Sequence, residues 1–245
     1  MTLLIDKSQR PESTRFQDAR AIAIQLNALS DRYESLSPTE ILADALQHEW
    51  FDNSAVVSSF GAESAVLLHM VSQVAPELPV LLIDTGKLFG ETRQYAAQLQ
   101  HRLGLEDVRH VAPRRAEIDE KDPLGKLSGT DPDSCCALRK TIVLQRALEP
   151  FGSWINGRKR HQTDQRSLMS IVERDGDRIK LNPLANFSHT DIADYHRKYE
   201  LPDHPLISKG YRSIGCFPCT SKVGEGENPR SGRWPGLDKT ECGIH

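Results

Sequence analysis

Ala55-Val56-Val57-Ser58-Ser59-Phe60-Gly61-Ala62-Glu63-Ser64 is the stretch from which the fold is read. An apolar run, Ala55 to Ser58, leads into a turn of small residues. A helical stretch from Ala65 to Val74 follows. Strand, tight turn and helix in this order present backbone N–H groups and a helix N-terminus to an anion. The turn lacks the lysine and glycine spacing of a Walker A loop, which argues against an ATP-hydrolysing P-loop. Two readings of Ser59, Phe60, Gly61, Ala62 and Glu63 stay open: a phosphate or sulfate site, or an ordinary strand-to-helix connection.

Outward from this unit the same alternation repeats. Val80-Leu81-Leu82-Ile83 is a near-continuous apolar run, as expected of a strand buried on both faces. It ends in Asp84-Thr85-Gly86, where an open α/β sheet places its ligands, although Asp84 also suits a solvated helix cap. A helix is expected from Glu91 to Leu103 and a third strand from Asp107 to Val111. The β-α-β-α-β order argues for a doubly wound, mostly parallel sheet. Toward the N-terminus, residues 1–13 read as disordered and Arg15 to Leu29 as helical. Ser37-Pro38-Thr39-Glu40 opens a helix to about His48, with Ser as cap, Pro at the first position and Glu closing a capping box. Toward the C-terminus, Phe151 to Gly157 is a strand and turn, followed by a basic cluster from Arg158 to Arg166. Either an anionic substrate or a solvated loop accounts for that cluster. Ile179 to Leu181 is a short strand, and Ser188 caps a helix to about Tyr199.

The chain of 245 residues is 38% hydrophobic and 27% charged, an ordinary globular composition. A net charge of −3 suggests no nucleic-acid or membrane role. No segment approaches the ~18 apolar residues of a membrane span, and Met1 to Ser13 carries no signal-peptide pattern. A cytoplasmic setting is expected, where clustered cysteines are more often catalytic or metal-binding than disulfide-bonded. The five cysteines divide as four plus one.

Asp131-Pro132-Asp133-Ser134 opens a helix carrying Cys135-Cys136-Ala137-Leu138-Arg139-Lys140. Regular helical spacing puts Cys136, Arg139 and Lys140 on one face. Adjacent cysteines point about 100° apart, so both meet one ligand only where the backbone bends or begins. Gly215-Cys216-Phe217-Pro218-Cys219 supplies a second pair. Four thiolates suit zinc or an iron–sulfur cluster, and the adjacent Cys-Cys pair favours the latter. A redox C-x-x-C beside two unrelated cysteines is the bland alternative. The fifth, in Glu241-Cys242-Gly243-Ile244-His245, follows a Gly-, Pro- and charge-rich stretch that reads as a flexible tail. Three residues from the end, Cys242 is not expected in a core. It is a candidate reactive thiol or a stray exposed one.

Together, Ser59 to Ser64, Asp84-Thr85-Gly86, Cys135-Cys136-x-x-Arg139-Lys140, Gly215-Cys216-x-x-Cys219-Thr220 and Glu241 to His245 resemble the assimilatory adenylyl-sulfate reductases of the phosphoadenylyl-sulfate reductase family. The resemblance runs from about Trp50 to His245. It implies an adenine nucleotide α-hydrolase-like fold and reduction of adenylyl sulfate to sulfite and AMP in sulfate assimilation. Thioredoxin, or glutaredoxin, would be the donor. It implies Cys242 as the nucleophile, carrying a thiosulfonate intermediate, and Cys135, Cys136, Cys216 and Cys219 as ligands of a 4Fe–4S cluster that does not cycle electrons in turnover. Lys140 falls where the family links cluster and substrate, with Arg139 beside it, and Arg230 and Arg233 match a pair of arginines. The family's Gly-x-Arg-Arg-x-Gln pattern reads Gly157-Arg158-Lys159-Arg160-His161-Gln162 here. Which of Lys159 and Arg160 acts as the fork therefore stays open, because lysine cannot make arginine's bidentate contact. Arg166 completes the expected basic set. The stretch from Trp234 to Cys242 is slightly shorter than the family's.

The chain is expected to divide into an N-terminal helical extension (1–49), a nucleotide-binding α/β domain carrying the cluster (50–222) and a mobile catalytic tail (223–245), and the resemblance implies a homo-oligomer. His245 is a possible assistant. The nearest rival is reduction of the 3′-phosphorylated nucleotide, or use of both. An ATP pyrophosphatase-type enzyme and a non-enzymatic metal-bound nucleotide-binding module stand further off.

Overall fold

The computed structural model describes residues 12–237, 239 and 241–243, with side chains from residue 20 onward. The expectation of disorder for 1–13 falls largely outside the described residues, as does His245. The chain begins with α1 (Glu12–Tyr33) and α2 (Pro38–Ala45), then alternates through β1 (Ser54–Ser58), α3 (Ser64–Val74), β2 (Val80–Ile83), α4 (Gly90–Leu103) and β3 (Val108–Val111). Short helices α5 (Arg115–Lys121), α6 (Leu127–Thr130) and α7 (Pro132–Cys136) lead into a π-turn (Ala137–Thr141) and α8 (Ile142–Ala147). β4 (Ser153–Asn156), β5 (Val172–Asp175), β6 (Arg178–Leu181) and α9 (His189–Lys198) follow.

The capping boxes read in the sequence are formed: Ser37 with Glu40 opens α2, and Ser188 with Asp191 opens α9. α2 stops at Ala45, short of His48, and α1 extends past both of its expected ends.

The six strands form one sheet in the order β3-β2-β1-β4-β6-β5, parallel except for β5 against β6. Alternate residues of each strand face opposite ways, so the central strands β2, β1 and β4 each serve two cores. Val56, Val80, Leu82, Ile155 and Leu181 join the larger core with residues of α1 to α4 and α9. Ala55, Val57, Leu81, Ile83 and Trp154 join a second core with Val143 and Leu144 of α8. This is the doubly wound arrangement expected of the sequence. The order reverses at β1, with β2 on one side and β4 on the other. Such a switch point opens a crevice at the carboxyl ends of the strands, here at Ser58, Ile83 and Asn156. No helix among the described residues is long and apolar enough to cross a membrane.

Candidate active site

A cavity of about 500 Å³ occupies this crevice, a size within the usual range for small-molecule sites. On the β1 side its wall is Ser58, Ser59, Gly61, Ala62, Glu63 and Ser64. The turn closes on itself: the Phe60 N–H donates to Ser58 Oγ at 3.2 Å and the Gly61 N–H to Ser64 Oγ at 2.8 Å. Phe60 has φ 47°, a left-handed conformation unusual for a bulky residue. Its side chain is fully buried in the larger core and does not line the cavity. Phe60 therefore shapes the turn rather than the wall.

Opposite, the turn after β4 supplies Asn156, Gly157, Arg158 and Lys159. Lys159 Nζ lies 2.6 Å from Glu63 Oε2, and Gln162 Nε2 donates to the same oxygen at 3.2 Å. Burial pushes Glu63 up, but the Lys159 ammonium, aided by His189 and His161, outweighs it and holds the carboxyl below its usual range. Arg160 turns away from the cavity: its guanidinium pairs with Glu34 at 2.6 Å and donates through Nε to the Met169 carbonyl at 2.7 Å. Of the two candidates for the fork, only Lys159 reaches the wall. Arg158 lies there too, donating to Asn156 and Asn182 and pairing with Glu173 at 2.7 Å. Arg158, His161, Gln162, His189 and Arg212 are lining residues that sequence reasoning did not single out. Arg158, directly after the Gly157 turn, and Gln162, at the glutamine of the Gly-x-Arg-Arg-x-Gln pattern, carried a positional signal.

At the end of β2, Thr85 lines the cavity, with its Oγ1 3.2 Å from Cys216 Sγ. Asp84 and Gly86 do not. Asp84 is gripped by Arg93 at 2.9 and 3.0 Å and accepts from the Gly86 N–H, and Gly86 has φ 72°. Arg139 is also withdrawn: it donates to the Thr85 carbonyl at 3.0 Å and to Asp122 at 2.7 Å in a buried pair. The π-turn is the reason. Its extra residue per turn breaks the regular spacing that would keep Arg139 and Lys140 on one face with Cys136. Only Lys140 enters the cavity wall, 7% exposed. Burial works against its charge, but Cys242, Cys216 and Cys136 outweigh this and raise its pKa.

Cys135, Cys136, Cys216, Cys219 and Cys242 are all buried and none forms a disulfide. Cys136 ends α7 where the π-turn begins, the bend that adjacent cysteines need to share one ligand. Burial pushes Cys135 up to about 11, with further upward pressure from Cys136, Cys216 and Cys219 and opposition from Arg139. All four thiols are buried, and each of Cys136, Cys216 and Cys219 lies near enough to Cys135 to act on its charge. Cys136, Cys219 and Cys242 pack with Trp234, whose buried indole N–H has no partner among the described residues. An orphaned buried donor in a cluster of cysteines is what a bound sulfur-rich anion would satisfy. Among the described residues no group of three or more His, Cys, Asp or Glu side chains is set to hold a metal ion. Four thiols are nonetheless the donor set that an iron–sulfur group takes.

The expectation that Cys242 lies outside the core is corrected: it is 8% exposed and lines the cavity with Lys140, Cys216, Arg166, Arg230 and Arg233. The ion pair of Glu241 with Arg166 at 2.6 Å seats this segment. The Arg233 guanidinium lies 4.5 Å over the Trp234 ring and flat against Gly215, and its buried Nε has no partner among the described residues. A methyl group at 215 would overlap that guanidinium. Gly215→Ala is accordingly expected to raise KM for an anionic nucleotide roughly tenfold, about one charge-assisted hydrogen bond. A fold-intact variant with unchanged KM would remove Arg233 from the binding set.

A doubly wound adenine nucleotide α-hydrolase-like domain with cations at its switch point defines a class of nucleotide-binding proteins. Residues 53–222 match the phosphoadenosine phosphosulfate reductase domain, and the chain belongs to that family of oxidoreductases. It is 47% identical over 230 residues to a protein of Chelativorans sp. (strain BNC1) named adenosine 5'-phosphosulfate reductase, covering 93% of this chain and 92% of that one. The phosphoadenylyl-sulfate reductase of Candida auris, solved as a phosphate complex, superposes with a TM-score of 0.69 at 25% identity, covering 81% of this chain and 96% of that one. The FMN adenylyltransferase of Candida glabrata, with FAD and pyrophosphate, shares the fold alone, at TM-score 0.55 and 14% identity over 83% of this chain and 71% of that one.

Proposed function

We propose that the chain reduces adenylyl sulfate to sulfite and AMP through a thiosulfonate on Cys242. The observation that carries this reading is the placement of Cys242 beside Lys140 on a cavity wall that also holds Arg166, Arg230 and Arg233. The Cys242 thiolate attacks the sulfate sulfur, an S–S bond forms, and the S–O bond to the phosphate breaks. AMP leaves with the electron pair. Lys140 and the arginines disperse charge on the sulfonyl oxygens and the leaving phosphate. A dithiol donor, thioredoxin or glutaredoxin, then attacks Cys242 Sγ and expels sulfite. Its second thiol resolves the mixed disulfide, so the donor supplies both electrons. A cytoplasmic setting, where such donors act, suits five unpaired thiols.

Cys135, Cys136, Cys216 and Cys219 would hold a 4Fe–4S cluster. When bound, it would fix four thiolates as one anionic unit facing Lys140. Residues 50–222 serve as the nucleotide-binding unit, and 223–245 as the tail that delivers Cys242.

Glu63 supports the non-phosphorylated substrate. It is an ionised carboxylate on the wall, already occupying Lys159, and it works against each further negative charge on the ligand. Steady-state rates with both nucleotides test this. Adenylyl sulfate is expected to give the higher kcat/KM, and Glu63→Gln to narrow the preference roughly tenfold. A higher kcat/KM for the phosphorylated nucleotide in the wild type would overturn the substrate assignment.

A further inference from the structure

We propose that Glu241 is the positioning residue of this site, a latch whose ion pair with Arg166 holds Cys242 on the cavity wall and whose release exposes the thiol to its reductant. The inference rests on the reading of Cys242 as nucleophile. The two Glu241 carboxylate oxygens accept from Arg166 Nε and Nη2, each at 2.6 Å, a bidentate contact. Thr163 Oγ1 donates to the same carboxylate at 3.2 Å, and Arg230 Nη2 lies 3.7 Å away. Arg166 is itself only 5% exposed, so the contact is shielded from solvent. On the other side of Cys242, the Gly243 carbonyl accepts from Thr141 Oγ1 at 3.2 Å. Gly243 has φ 77°, a left-handed turn that suits glycine. Cys242 is thus pinned between the segment 163–166 and the π-turn that carries Lys140.

Cys242, Arg166 and Arg230 line the cavity, whereas Glu241 does not. The carboxylate takes the Nε and Nη2 edge of Arg166, and Nη1 donates to Gln162 Oε1, so the guanidinium is fixed on the wall. The closed segment still leaves about 500 Å³, so latch and nucleotide coexist. In this closed state a protein dithiol cannot reach a sulfur on a residue 8% exposed. The two half-reactions therefore need two positions of the segment, and the Glu241 ion pair biases the choice between them.

Alkylation of Cys242 by iodoacetamide, in the full chain with its cluster and mapped by peptide mass, reads the latch without any substrate. Glu241→Gln is expected to raise that rate roughly tenfold or more, the scale of a lost charge-assisted contact. The same variant should slow single-turnover sulfonation of Cys242 by a similar factor while AMP affinity stays within about twofold. Glu241→Asp should fall between it and the wild type. Alkylation at the wild-type rate in Glu241→Gln would overturn the latch. So would a large shift in AMP affinity with unchanged alkylation, because Glu241 would then act on the binding cations. A wild type that is never sulfonated would overturn the nucleophile reading alone, since alkylation still decides the latch.

Discussion

Cys242→Ser is expected to bind the nucleotide normally and to turn over at least about ten-thousand-fold more slowly, the scale at which loss of a covalent nucleophile acts. Binding should survive because the charges that meet the anion come from elsewhere: Lys140 from the π-turn, Arg166 from the loop after β4, Arg230 and Arg233 beyond the second cysteine pair. The fold should survive because serine is smaller than cysteine and no described hydrogen bond depends on the sulfur. A serine hydroxyl is a far weaker nucleophile than a thiolate in these surroundings. The measurement pairs AMP affinity with kcat. Turnover within about tenfold of the wild type would remove Cys242 from the mechanism.

The second large effect is expected from Cys136→Ala and Cys219→Ala. Each removes one of four buried thiols, none of which forms a disulfide. If the four hold an iron–sulfur cluster, either change should abolish its visible absorbance. It should also lower the Tm by roughly 10 °C or more, because ligation of such a group is coupled to folding. Deleting a buried thiol that binds nothing would cost only about 1 kcal/mol, a few degrees in a chain of this size. Both readouts are independent of turnover. Retained colour would exclude these two residues as ligands.

Much of the fold is legible because its signals are local. Val80 to Ile83 is apolar throughout because both faces of β2 are buried, and the boxes at Ser37 and Ser188 form from residues three apart. β5 escaped notice because it is a four-residue edge strand containing Glu173 and Arg174. The Asp175-Gly176 turn that pairs it with β6 was its readable mark. At the site, the failures come from non-local partners and from backbone irregularity. Arg160 is drawn off by Glu34, 126 residues away, which no spacing rule anticipates. Regular helical spacing groups Arg139 with Lys140, but the π-turn separates them, one to Asp122 and the other to the cavity. Asp84 sits at the right sheet edge, but Arg93 holds it. Cys242 reads as a tail residue by composition, yet Glu241 and Gly243 seat it by contacts to segments 75 and 102 residues distant. Proximity of chemistry to the switch point was therefore readable. The orientation of each side chain there was not.

The central claim is that Cys242 takes the sulfonyl group from the nucleotide. Intact-protein mass spectrometry tests it most directly, on anaerobically purified wild type mixed with adenylyl sulfate and no thiol donor. The expected result is one added SO₃ unit, mapped to Cys242 and removed by reduced thioredoxin with release of sulfite. Unmodified protein that retains its cluster, with adenylyl sulfate and with the phosphorylated nucleotide alike, would contradict it.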